Sequence, residues 1–145
     1  MSKHPAALAR EGITPERYQE MMAICRQYRR YKSEIRLWQA GIVEKPRHRR
    51  GGAWRQPDPT GNAAAYIADA TSWERGRVRL IEETAHKAAG SAVAPALIEN
   101  VTEGRNYDCL HRRPPCGRRQ FYICRLGFFL LLDARLRELE RGHSQ

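Results

Sequence analysis

Apolar positions recur along this chain at the spacing of a helix surface rather than that of a strand. Tyr18, Met21, Cys25, Tyr28, Ile35 and Trp38 follow one another at intervals of three, four or seven. That pattern puts them on one stripe of a helix ending near Gly41. Its start is written in Thr14-Pro15-Glu16: a hydroxyl cap, a proline at the first helical position, then an acid at the positive end of the dipole. Ala64, Ile67, Thr71, Val78, Ile81 and Ala85 form a second stripe. It predicts a helix over Asn62 to Ala89, opened by Asp58-Pro59-Thr60-Gly61. Val93, Leu97, Ile98 and Val101 predict a shorter helix over Ala92 to Glu103, with Gly104 as its stop. No stretch alternates with period two. The expected fold is all-α: two long helices joined by a linker, followed by a C-terminal helix-turn-helix bundle.

Between the first two stripes the pattern dissolves. Pro46, Gly51, Gly52, Pro57 and Pro59 break regular structure, and Lys45, Arg47, Arg49, Arg50 and Arg55 make the stretch basic. The chain thus divides into an N-terminal helical segment (1–40), a basic linker (41–61), a long central helix (62–90) and a C-terminal region (91–145). The linker has two readings: a basic arm that tracks phosphates through Arg47, Arg49 and Arg50, or a solvated loop. The long striped helices also have two: packing against each other within one chain, or forming the seam of a homodimer.

The last third of the chain carries the most pattern. Tyr107 and Leu110 anchor an expected short helix that ends near Arg113, because Pro114 disfavours helical geometry in the residue before it. Pro114-Pro115-Cys116-Gly117 then has the length of a helix-turn-helix turn. In the next helix Phe121, Cys124, Phe128 and Leu131 or Leu132 are spaced to face the core. Arg118, Arg119, Tyr122 and Arg125 fall on the other side, with Gln120 at the boundary. A recognition helix reads bases with its first turn, where arginine suits guanine and glutamine suits adenine. Arg118, Arg119 and Gln120 are therefore the expected base readers, Tyr122 and Arg125 supporting contacts, and Arg112 and Arg113 phosphate contacts. The bland reading of the same residues is a solvated charged face. The helix continues as Leu126-Gly127-Phe128, where an interior glycine costs about 1 kcal/mol relative to alanine.

Charge strengthens the first of these readings. The 145 residues carry a net charge of +10, which attracts polyanions far more than solubility requires. Arginine outnumbers lysine among the bases, and its planar fork matches phosphates and guanine edges. The N-terminus lacks an apolar core with a cleavage site, and the run of large apolar residues from Phe128 to Leu132 is far too short to span a bilayer. We therefore expect a cytoplasmic protein without a membrane partner. Its four cysteines are expected as reduced thiols. Cys109, His111, Cys116 and Cys124 are near in sequence but lack the paired spacing of a zinc site. No glycine-rich phosphate loop or nucleophile–base pairing is written in the chain, so neither a cofactor nor an enzymatic activity is expected.

The segments Leu97-Ile98-Glu99-Asn100-Val101-Thr102-Glu103-Gly104, Pro115-Cys116-Gly117-Arg118, Phe121-Tyr122 and Phe128-Phe129-Leu130-Leu131-Leu132-Asp133, with Tyr107 and Leu110 between them, resemble small prophage late-gene regulators of the RinA/ArpU type. Asp58-Pro59-Thr60-Gly61 and Leu80-Ile81-Glu82-Glu83-Thr84-Ala85 are similar to such proteins as well. The resemblance implies a C-terminal helix-turn-helix like the promoter-reading part of sigma factors. It implies binding to double-stranded DNA upstream of a phage operon, nucleoid-associated in a bacterial host, with RNA polymerase as a further partner. A reading from another class keeps the same basic helices but changes the target: an interaction protein that occupies a host nucleic-acid enzyme, RNA polymerase or a CRISPR nuclease, or its RNA.

Overall fold

The computed structural model describes residues 4–41 and 71–143, and all its regular elements there are helical. They are α1 (Ala6–Arg10), α2 (Pro15–Arg26), α3 (Tyr28–Gln39), α4 (Ser72–Ala89), α5 (Ala94–Glu103), a 3-10 turn (Tyr107–Cys109) and α6 (Arg118–His143). The fold class is all-α, as the stripes require. The basic linker, with Arg47, Arg49 and Arg50, and the start of the expected central helix lie outside the described residues.

Local signals account for most boundaries. Thr14 has an extended backbone, and its hydroxyl accepts from the Arg17 amide at 3.1 Å, so the Thr-Pro-Glu start caps α2. The first stripe does not build one uninterrupted helix. At Gln27 the amide turns to the Ile24 carbonyl (3.2 Å), an i→i+3 tightening that divides α2 from α3. Gly104 ends α5 in the left-handed conformation (φ +73°), as its place after the third stripe predicts. The largest departure is in the C-terminal region. The expected short helix before Arg113 is a single 3-10 turn, and residues 104–117 otherwise run without a helix into α6. The nine residues between Gly104 and Pro114 are held instead by Glu99, Tyr107 and Tyr122 across the connection, and Pro114 disfavours helical geometry at Arg113.

The chain forms two units, residues 1–28 with 79–145, and residues 29–78. In the first, α2 packs on α5 and α6, α1 on α6, and α5 on α6. Its core combines Leu8, Tyr18, Met21 and Cys25 with Ile81, Leu97 and Val101, and with Phe121, Phe128, Phe129 and Leu132 of α6. Tyr18 meets Phe129 edge-on at 5.2 Å, and Phe128 meets Phe129 in the same way at 5.2 Å. Burial pushes the Cys25 thiol up to about 12, the behaviour of a small hydrophobe rather than a nucleophile.

Two polar clamps cross that apolar interior. Arg17 of α2 donates to buried Asp133 of α6 (Nε–Oδ1 2.7 Å) and reaches Glu140 one and a half to two turns later (3.1 and 3.2 Å). The second oxygen of Asp133 takes Arg137 at 3.0 Å. The hydrogen bond to Glu140, then that to Asp133, hold the Arg17 guanidinium more firmly charged than usual against the opposing effect of burial. Near the other end of α2, the Tyr28 hydroxyl donates to Glu82 at 2.5 Å. Burial first, and then this neighbour, raise its ionisation above the ordinary tyrosine range.

The second unit is described only in part. In α3, Arg30 lies near Glu34 (3.8 Å) and over the Tyr31 ring. At the start of α4, Arg75 donates to the Thr71 hydroxyl (2.8 Å), and Arg77 stacks on an exposed Trp73 at 4.4 Å.

Candidate nucleic-acid interface

Arg112, Arg113, Arg118, Arg119 and Gln120, among the residues expected to touch DNA, sit on a shoulder made of the 104–117 connection and the first turn of α6. The connection is irregular but tightly tied. Asn106 caps the 3-10 turn by accepting from the Cys109 amide (3.1 Å). The Tyr107 hydroxyl donates to the Cys116 carbonyl (2.6 Å), stitching the two ends of the turn together. The Tyr107 amide in turn donates to the Tyr122 hydroxyl on α6 (3.2 Å). Glu99 of α5 holds the middle: it accepts from the His111 amide (3.0 Å), meets the His111 ring (2.9 Å) and pairs with Arg105 (3.3 Å). Pro114 is buried beneath.

This frame carries an outward basic edge. Arg112, Arg113, Arg118, Arg119 and Gln120 are all exposed. Arg113 and Arg118 lie 5.8 and 5.9 Å from the centre of the Tyr107 ring, so one aromatic orders two guanidinium groups. Arg118 also pairs with Asp108 of the 3-10 turn. Arg112, Arg113, Arg119 and Gln120 form no ion pair among the described residues, and they are the side chains free to meet a polyanion. Gly117 opens α6 by offering its carbonyl to the Phe121 amide (3.0 Å).

Two of the expected contacts are employed elsewhere. Arg125 turns inward: Nε donates to Asn100 Oδ1 (2.7 Å), a terminal nitrogen donates to the Tyr18 hydroxyl (3.2 Å), and the guanidinium lies over Phe129 at 4.9 Å. It joins α2, α5 and α6 and does not project with Arg119. Tyr122 is 38% exposed, but its hydroxyl already serves the Tyr107 amide, and its ring stands edge-on to Phe121. Helical spacing alone placed Arg125 on the outer face. The inward swing of a long side chain toward an acceptor on another helix is invisible to that spacing.

Sequence reasoning also missed Asn100. Its amide nitrogen donates to the Arg105 carbonyl (2.7 Å) while its oxygen accepts from Arg125, so one buried side chain fixes the end of α5, the connection and α6. An asparagine four residues before a helix-ending glycine was the available signal. Cys124 is half-buried rather than core, and burial followed by Cys124 raises the ionisation of Cys116. Among the described residues no three His, Cys, Asp or Glu side chains converge as metal ligands. None of the described helices is long and apolar enough to cross a membrane.

Beside the basic edge the surface becomes apolar. A groove of about 360 Å³ between α1 and α6 is lined by Pro5, Leu8, Tyr122, Ile123 and Leu126, with Arg119 at its rim. The basic edge is therefore short along α6, limited to its first turn. No protein-family model, curated protein or solved structure matches the chain.

Proposed function

We propose that this chain is a sequence-specific DNA-binding regulator that sets the first turn of α6 in the major groove. One observation carries the reading: Arg112 and Arg113, on a connection braced by Tyr107, Glu99 and Asn100, are exposed together with Arg119 and Gln120 on the first turn of α6. Exposed arginines at the start of a helix suit both phosphate contact and base reading, and the braced connection fixes the backbone that presents them. The net charge of +10 supplies the sequence-independent attraction. A role in phage late-gene control is what the resemblance to RinA/ArpU-type regulators adds.

The geometry refines the division of labour. Arg119 and Gln120 read bases, Arg112 and Arg113 hold phosphates, and Arg118 is restrained by Asp108 and contributes less. Arg125 and Tyr122 position the helix and touch no DNA. Arg47, Arg49 and Arg50 add affinity of the same phosphate-bound kind.

The test is a gel-shift series over salt, with the DNA upstream of the chain's own gene and a scrambled control. Replacing Arg112 and Arg113 together by Ala should weaken both DNAs alike and flatten the salt slope by about two. Replacing Arg119 by Ala should weaken the specific DNA more than the control. No shift of either DNA at low salt, or equal losses on both DNAs from the Arg119 change, would overturn the reading. Co-purification of a host nucleic-acid enzyme in place of a shift would favour the interaction protein.

A further inference from the structure

The outer face of α6 has no charge along most of its length. Between Arg119 and Arg135 the helix carries only two charged residues, Arg125 and Asp133, and both turn inward to Asn100, Tyr18 and Arg17. The opposite face is left with Ile123, Leu126, Gly127, Leu130, Leu131 and Ala134. Ile123 is 52% exposed and Leu131 37%, far above the core side of the same helix, where Phe121, Phe128 and Leu132 are fully buried. A helix apolar on both sides is one that packs on both sides.

Gly127 points the same way by a separate route. It sits inside a helix, where glycine is disfavoured, and nothing in the protomer lies within 4 Å of where its Cβ would be. The protomer's own packing gives no reason for the missing side chain. A neighbour that comes close from outside does.

We infer that this neighbour is a second copy of the chain, packed antiparallel along α6 about a two-fold axis between Phe128 and Phe129. In this register Ile123 faces Ala134 of the second copy and Gly127 faces Leu130, while Leu126 and Leu131 flank the seam on the α1 and α4 sides. A large residue meets a small one in both rows. One turn beyond the apolar rows, Arg119 faces Glu138 of the second copy at each end. Both are exposed, and neither holds an ion pair among the described residues. A two-fold contact requires that each residue's partner return the contact, and this stripe meets the condition in shape and in charge. A parallel copy would set Arg119 against Arg119. Arg119 thus serves both surfaces, so DNA and the second copy compete for the first turn of α6.

The experiment is sedimentation of the full chain, free of nucleic acid, over a range of concentrations, and it does not depend on the DNA reading. The wild type should form a dimer. Gly127→Ile should give a monomer at least as stable as the monomeric Arg119→Glu chain, because only the neighbour meets the new side chain. Arg119→Glu and Glu138→Arg should each weaken the dimer by at least about tenfold, and the two changes combined should restore it. A wild-type chain that stays monomeric throughout would overturn the inference, as would a Gly127→Ile chain that still dimerises or a double exchange that does not restore. A monomer whose binding to anionic vesicles is lost with Ile123→Asp would overturn it too, and would assign the face to a lipid surface.

Discussion

Arginine does opposite work in two regions of this molecule. In the seam between α2, α5 and α6, Arg17 and Arg125 are enclosed by Asp133, Glu140, Asn100 and Tyr18, and they act as parts of the core. On the shoulder a few turns away, Arg112 and Arg113 of the braced connection and Arg119 of the first turn of α6 stand in solvent. The difference teaches that a net charge of +10 is not one property. Part of it is spent inside the fold on fixed acceptors, and only the remainder is offered to a partner.

The comparison breaks most visibly at Asp133. Replacing it with Ala leaves Arg17 and Arg137 without their shared carboxylate, and stripping one partner from a largely buried pair costs about 3 kcal/mol. Urea unfolding of Asp133→Ala should show that loss. A change under 1 kcal/mol would mean that Glu140 takes over the pair, and the seam would then resemble the shoulder.

Arg125 and Arg119 sharpen the contrast within a single helix. Arg125→Ala strands Asn100 Oδ1 and should cost about 2 kcal/mol, whereas Arg119→Ala, compared with wild type at concentrations below dimerisation, should change stability by less than about 0.5 kcal/mol. The same pair of variants run against DNA should reverse the order. A destabilised Arg119 variant, or an Arg125 variant of unchanged stability, would erase the distinction.

The smallest effect at neutral pH concerns the thiol behind Arg125. Cys25 ionises at about 12 in the folded protein against 9.0 as the ordinary value, because it is fully buried. A folded-state value raised above the unfolded one contributes stability that is complete below pH 9. That contribution is lost as the pH climbs toward 12, where the unfolded chain gives up its proton first. Melting curves should therefore fall across that window, and Cys25→Ala should flatten the fall. Tyr28, raised in the same direction, adds to the alkaline loss.

Signals that act over a turn or two were legible in the residues themselves. Thr14 and Pro15 cap α2, Gly104 stops α5, and Phe121, Phe128 and Leu132 face the core of α6, all from interactions within about four residues. The exposed positions of Arg112, Arg113, Arg118, Arg119 and Gln120 were legible too, because a first turn and a proline-bound connection have few neighbours to hide them. The 104–117 connection was not. Its order comes from Glu99, Tyr107 and Tyr122 meeting across it, and no helix period describes that arrangement.

By itself the sequence determined an all-α chain, its main helix ends and its excess of positive charge, since propensity, capping and formal charge are local. The tertiary structure decided which arginines remain available and which side of α6 is left bare. Arg125 finds its acceptors 25 and 107 residues away, and Asp133 finds Arg17 at a separation of 116. Such pairings exist only once α2, α5 and α6 are packed, because burial makes an unpaired charge too costly to leave.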